Sequence, residues 1–165
     1  LRHRSKRRLT VRAVVQRVTR ARVDVVGDAG TRVEAGAIGA GLCVLVGVTH
    51  ADTPDTASKL ADKIWNLRIL DDADGVMNRS LADRAAGGEP AEVLVVSQFT
   101  LYGNTDKGRR PSWIDAARPE HAEPLVDEFV GRLRRLGAAV ATGRFRTEMH
   151  VELVNDGPVT LLLDV

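Results

Sequence analysis

The stretch Glu92-Val93-Leu94-Val95-Val96-Ser97-Gln98-Phe99-Thr100-Leu101-Tyr102-Gly103 decides how the chain is read. Val93 to Val96 are apolar and mostly β-branched, the pattern of a strand buried on both faces. The run stops at Ser97, Gln98 and Thr100, three hydrogen-bonding side chains within four positions. A strand that leaves a core with polar groups at its tip is a candidate site. The plainer reading is a strand running into a polar turn at Gly103, and composition alone leaves both open.

Upstream, residues 11–26 read as strand, with Val23 and Val25 set against Arg22 and Asp24, and Gly27-Asp28-Ala29-Gly30 as a turn. An antiparallel partner is expected at residues 31–37, followed by a second strand buried on both faces, Leu42-Cys43-Val44-Leu45-Val46-Gly47-Val48. Apolar neighbours raise rather than lower a thiol pKa, so Cys43 reads as buried structure and not as a nucleophile. Thr53-Pro54-Asp55 starts a helix with a capping hydroxyl, a proline at its first position and an acid at its positive end. Ala57, Leu60, Ala61, Ile64 and Trp65 give that helix one apolar face.

Asp71-Asp72-Ala73-Asp74-Gly75 lacks the alternating spacing of a calcium loop and reads as a solvated turn, and residues 78–90 read as an exposed loop. Beyond Gly103, Lys107, Arg109 and Arg110 form a basic loop with Trp113 beside it, suited to phosphate contact and base stacking, or simply a solvated charged loop. Pro119-Glu120-His121 opens a second amphipathic helix ended by Gly137. Its last turns carry Arg132, Arg134 and Arg135, read as structural complements of the dipole. Strands are expected at 138–145, 150–154 and 159–165. This order predicts one α/β domain over residues 11–165: a curved mixed sheet, barrel-like, with two principal helices.

The 165 residues suit one core, and the 44% hydrophobic and 28% charged content is that of a globular protein without a bilayer-spanning run. A single cysteine excludes an internal disulfide framework, and no signal-peptide pattern is visible, so a reducing, cytoplasmic location is expected. The net charge of +2 misleads, because Arg2, Arg4, Lys6, Arg7 and Arg8 supply five cations within the first eight residues; without them 19 basic residues face 22 acidic ones, about −3. RNA affinity therefore has to come from local clusters. Residues 1–10 read as a disordered basic extension. It is either an upstream translated segment ahead of a start at Val11 or a basic arm that touches RNA.

Near the other end stands Asn155-Asp156-Gly157-Pro158-Val159-Thr160. Together with Ser97-Gln98-Phe99-Thr100-Leu101, about sixty residues earlier, it resembles the paired signature motifs of the D-aminoacyl-tRNA deacylases, also called D-tyrosyl-tRNA deacylases. Val11-Arg12-Ala13-Val14-Val15-Gln16-Arg17-Val18 is similar to that family's amino-terminal strand, which usually starts with the initiating methionine. Lys107-Gly108-Arg109-Arg110-Pro111-Ser112-Trp113 is similar to its basic segment, with Trp113 in place of a common Phe.

The resemblance covers residues 11–165 and implies a homodimer that hydrolyses D-aminoacyl-tRNA, without metal or cofactor. It assigns Ser97, Gln98, Phe99 and Thr100, with their backbone N–H groups, to holding the terminal adenosine and the ester carbonyl. It implies that Gly157-Pro158 is cis and projects into the partner's site as a gate against L-amino acids, which achiral glycine escapes, with Arg17 fixing the dipeptide by bonds to its carbonyls. It also implies that the 2′-hydroxyl of the tRNA 3′ end assists attack on the ester, and it places Lys107, Arg109 and Arg110 on the tRNA.

From the residues alone, two competitors stand beside that reading: a non-catalytic binder of the tRNA end, and a small hydrolase using Thr100 as nucleophile on a different ester. The histidines His3, His50, His121 and His150 are scattered and form no metal-ligand motif.

Overall fold

The computed structural model describes residues 10–165, and a 15-residue strand, β1 (Arg12–Val26), is its spine. One edge of β1 carries β8 (Met149–Asp164) along nearly its whole length. The other edge carries β3 (Gly41–Gly47) over the first half of β1 and β2 (Arg32–Ile38) over the second, both antiparallel. Two parallel neighbours extend the sheet beyond β3, namely β6 (Glu92–Ser97) and then β7 (Ala139–Thr142). The parallel steps need crossovers, and these contain α1 (Pro54–Trp65) and α3 (Pro119–Leu136).

The continuous apolar runs of β3 and β6 follow from burial on both faces. Val44, Val46, Val93 and Val95 pack on the helix side with Leu60, Ile64, Phe129 and Leu133. Cys43, Leu94 and Val96 face the inside of the curl with Val18, Val23 and Ile38. Each fully buried aliphatic or Phe side chain contributes about 1.5–3 kcal/mol of transfer free energy. Burial also pushes the Cys43 thiol up to about 11, so it is protonated and inert at neutral pH.

The curl brings β2 back toward β7. A Cβ at Gly36 would lie 2.8 Å from the Thr142 carbonyl oxygen and 3.1 Å from Ala141 Cβ, so only glycine lets the strands approach this closely. A β-bulge beside it, between Val23 and Asp24 in the β1–β2 register, bends the sheet further. The extra residue, Ala35, lies on β2, so residues 22–25 of β1 keep their alternation. Asp24, on the same face as Arg22, is 4% exposed, while Val25 is only half-buried. Arg22, which donates to both Asp24 carboxylate oxygens at 2.9 and 2.8 Å, holds that carboxyl below its ordinary pKa.

Both principal helices begin and end as their sequences dictate. Thr53 and Thr56 exchange backbone-to-hydroxyl bonds of 3.0 and 3.4 Å in a capping box, with Pro54 at the first helical position. Thr53→Ala is expected to destabilise the fold by about 1 kcal/mol, seen as a lower urea midpoint at unchanged slope. In α3, Gly137 is the C-cap residue at φ 120. Arg132 pairs with Asp62 of α1 at 2.8 Å, Arg135 with Glu128 at 2.8 Å, and Arg134 donates to the Val140 carbonyl at 3.2 Å.

Three expectations need correction. Residues 78–90 are not a loop throughout: Met77–Arg79 forms β5, pairing with β4 (Leu70–Asp71), and Leu81–Ala86 forms a short α2. A reciprocal Ser80–Asp83 capping box starts α2, and Leu81, 1% exposed, anchors it. The strand expected at 138–145 is shorter, Ala139–Thr142. The two strands expected at 150–154 and 159–165 belong to one strand, β8, interrupted by a bulge. The expected disordered extension at residues 1–10 lies outside the described residues except for Thr10. Among the described residues, no helix is long and apolar enough to cross a membrane.

Candidate functional site

Ser97 closes β6, and the chain passes through Gln98 (φ −140, ψ 84) into a 3-10 turn at Phe99–Tyr102. The turn is held from three sides. Gln98 N–H donates to the Val46 carbonyl at 2.8 Å, and Gly103 N–H to the Thr100 carbonyl at 2.9 Å. Arg12 donates to the Leu101 carbonyl at 3.0 Å while its guanidinium lies 4.9 Å from the Tyr102 ring centroid, and Asp164 anchors it at 3.0 Å. Burial pushes the Tyr102 phenol well above its usual pKa.

The side-chain amide of Gln98 donates a short hydrogen bond to the Thr100 hydroxyl. Among the described residues, neither Ser97 nor Thr100 hydrogen-bonds to a histidine or a carboxylate, and no acceptor takes up the backbone N–H of Phe99 or Thr100. These two groups begin the turn, where a helical segment has no intrahelical acceptor to offer them. They are donors in want of an oxygen.

A cavity of about 650 Å³ opens beside this turn. Its walls are largely apolar, built by Val48, Val96, Ala116, Ala117, Pro119, Ala122, Phe145, Met149 and Val151, with Ser97, Gln98, Phe99, Trp113, Arg146 and Thr147 contributing the remainder. Phe99, 56% exposed, meets Trp113 edge-on at a centroid distance of 5.3 Å. The basic loop lies just ahead of Trp113 and is pinned at its base by paired Asn104–Ser112 backbone bonds of 2.8 Å. Lys107, Arg109 and Arg110 on that loop are exposed and do not line the cavity.

The second motif sits on β8. Between Gln16↔Thr160 and Val18↔Asn155 the register advances two residues on β1 and five on β8, so residues 156–159 are thrown out of the sheet. Asn155 staples the base of this bulge, accepting from Val159 N–H at 2.7 Å and donating to the Val159 carbonyl at 3.2 Å. The Gly157–Pro158 peptide is cis, and Gly157 has φ 139.

Arg17, on β1 between those two register points, is 8% exposed. It donates to the Asp156 carbonyl at 2.9 Å, the Ile69 carbonyl at 2.9 Å and the Asp71 carboxylate at 3.0 Å. The carbonyl it reaches is therefore the one just ahead of the Gly157-Pro158 dipeptide. Arg17, Gly157 and Pro158 do not line the cavity beside Gln98. Within one chain the two motifs build two separate features.

Sequence reasoning missed the cavity walls supplied by residues 116–122 and 145–151. It also missed Asp52, 3% exposed, whose carboxylate accepts from Val11 N–H at 2.6 Å, Thr49 N–H at 2.8 Å and the Thr56 hydroxyl at 3.1 Å. Asp52 thereby ties the start of β1 to the start of α1. Among the described residues, no three His, Cys, Asp or Glu side chains cluster as a metal site requires.

Comparison with known proteins places these features in a family. The model for D-Tyr-tRNA(Tyr) deacylase matches residues 14–164. A D-aminoacyl-tRNA deacylase of Nocardia farcinica is 56% identical over 154 residues, 93% of this chain and 99% of the relative. One of a Roseiflexus species is 58% identical over 154 residues, 93% of each chain. Among solved structures, one described as a c-Myc DNA unwinding element binding protein superposes with a TM-score of 0.80 at 38% identity, covering 93% of this chain and 98% of that one. A structure described as a probable eukaryotic D-amino acid tRNA deacylase shares the fold, with a TM-score of 0.76 at 17% identity. With the family model spanning nearly the whole chain, and relatives this similar over almost their full lengths, this protein belongs to the D-Tyr-tRNA(Tyr) deacylase family.

Proposed function

We propose that this protein is a D-aminoacyl-tRNA deacylase that hydrolyses the ester joining a D-amino acid to the tRNA 3′ end. The observation that carries the reading is the pair of unoccupied backbone donors, Phe99 and Thr100 N–H, at the start of a turn that borders a largely apolar cavity of about 650 Å³. Two fixed N–H groups suit the oxyanion that forms when water adds to an ester carbonyl. The new bond joins the water oxygen to the carbonyl carbon, the bond to the ribose 3′-oxygen breaks, and a proton passes to that oxygen. The products are free tRNA and the D-amino acid.

The Thr100 hydroxyl receives its hydrogen bond from an amide donor, which cannot take up a proton, so a Thr100 nucleophile lacks an activating base. In our reading the vicinal 2′-hydroxyl of the terminal ribose assists the attack instead. Lys107, Arg109 and Arg110 contact backbone phosphates of the acceptor end, with Trp113 beside them.

The same reading makes the enzyme a homodimer. Strand β8 pairs only with β1 among the described residues, and Leu162 and Val154 on it are 75% and 39% exposed. A second copy covering this strand would let the Gly157-Pro158 bulge of one subunit reach the cavity of the other, where its bare backbone excludes an L-side chain. Glycine carries no side chain to exclude, so glycyl-tRNA(Ala) is also a substrate.

Deacylation of matched D-tyrosyl-, L-tyrosyl- and glycyl-tRNA(Ala) tests this reading. The D- and glycyl esters are expected to be cleaved and the L-ester spared. Equal cleavage of both enantiomers would remove the gate, and no turnover of any ester would leave only a tRNA-end binder.

A further inference from the structure

Arg146 attracts no attention in the sequence, yet its backbone adopts φ 59, a left-handed conformation that costs a side-chain-bearing residue about 1–2 kcal/mol. It is exposed at the cavity shared with Gln98, Phe99 and Trp113. Arg17, Arg22, Arg79, Arg132 and Arg135 each hold a carboxylate. Arg146, among the described residues, has neither an ion pair nor a hydrogen bond. An uncommitted guanidinium at the rim of an apolar cavity is a binding group for an oxyanion, since its planar fork matches two oxygens of one centre.

We propose that Arg146 binds a backbone phosphodiester of the single-stranded tRNA 3′ end, at the cavity that Phe99 and Trp113 also line. This assignment rests on the deacylase reading for its substrate and adds an anchor that the basic loop does not supply. The apolar walls leave the base and the aminoacyl group to the interior, while the phosphate stays at the rim within reach of solvent.

The test uses Arg146→Gly and Arg146→Lys. Glycine takes φ 59 without strain, so the glycine variant is expected to keep or raise the urea midpoint while removing the charge. Binding of uncharged RNA ending in CCA, followed by the fluorescence of exposed Trp113, is expected to weaken about five- to twentyfold in Arg146→Gly. The slope of log Kd against log salt should become shallower by about 0.7, one single-stranded phosphate contact. Arg146→Lys should recover part of the affinity and the full slope.

In turnover, KM for D-tyrosyl-tRNA should rise by a similar factor with kcat little changed, while D-tyrosyl-adenosine, which has no phosphate, should be cleaved equally by all three proteins. Unchanged RNA affinity and salt slope, or an equal loss on D-tyrosyl-adenosine, would overturn the assignment. A loss confined to D-aspartyl-tRNA would overturn it too, because the anion would then be the amino acid's own carboxylate. Normal RNA binding by Arg146→Gly with active wild type sinks only this inference, whereas an inactive wild type that still loses affinity with Arg146→Gly sinks the deacylase reading alone.

Discussion

D-tyrosyl-tRNA with hydrogen in place of the terminal 2′-hydroxyl is expected to be deacylated about 10²-fold or more slowly than the native substrate, with affinity changed only a few-fold. Among the described residues, those lining the cavity beside Gln98 include no histidine or carboxylate. Gln98 gives its amide hydrogen to Thr100, and among the described residues the Phe99 and Thr100 N–H groups meet no acceptor. Such a set stabilises charge as it develops on the carbonyl oxygen but does not remove a proton from the attacking water. In the proposed mechanism the group that does so is the 2′-hydroxyl of the ribose, next to the scissile bond, where it would already be positioned at no cost in binding entropy. A factor of 10² corresponds to about 2.7 kcal/mol of barrier, within what one well-placed polar group supplies. Single-turnover rates with matched ribo and 2′-deoxy substrates measure it. If the deoxy substrate were cleaved at the native rate, the proton acceptor would have to lie on the protein, and Thr100→Ala would then decide whether that hydroxyl is the nucleophile.

What the sequence disclosed and what it hid follow from the range of the interactions involved. Strands β3 and β6 are legible because both their faces are covered, which leaves unbroken apolar runs. The principal helices are legible because Thr53-Pro54 and Gly137 mark their ends and their apolar faces repeat at helical spacing. Helix α2 has six residues and one buried side chain, too few for periodicity; its only mark is the Ser80-x-x-Asp83 capping pair. The path of β8 was hidden for a different reason. Its bulge is held locally by Asn155 and at long range by Arg17, 139 residues from Asp156 and 52 from Ile69; periodicity encodes no such link, and the Arg17 contact was expected only from the family resemblance. The strand tip at Ser97 was visible as a sharp change from apolar to polar. The opposite walls of the cavity, Ala116 to Ala122 and Phe145 to Val151, are ordinary in composition and become site residues only through the fold. Likewise, nothing in Gly143-Arg144-Phe145-Arg146 announces that an arginine takes the left-handed conformation there.

Gly157→Ala is expected to lower kcat/KM for D-tyrosyl-tRNA by about 10²-fold and to erode the preference for the D-enantiomer. A Cβ at residue 157 would lie 2.8 Å from Val159 Cγ2, 3.0 Å from the Val159 nitrogen and 3.3 Å from an Arg17 guanidinium nitrogen. The first contact is relieved by rotating a valine. The second involves backbone that Asn155 already holds at 2.7 Å, and the third a guanidinium fixed by the Asp156 and Ile69 carbonyls. Residue 157 also has φ 139, which an L-side chain tolerates poorly, so the bulge must move as a unit to accept the methyl group at a cost of about 1–3 kcal/mol. If the bulge gates the partner's cavity, a shift of about 1 Å there misplaces the excluding carbonyls, and losses of 10²-fold accompany misplacements of that size. Rates on both enantiomers, taken with the urea midpoint, separate the outcomes. A lower midpoint with unchanged rates and unchanged enantiomer preference would mean that Arg17 and Asn155 hold residues 156–159 for the sake of the sheet alone, and stereoselection would then have to arise within the cavity beside Gln98.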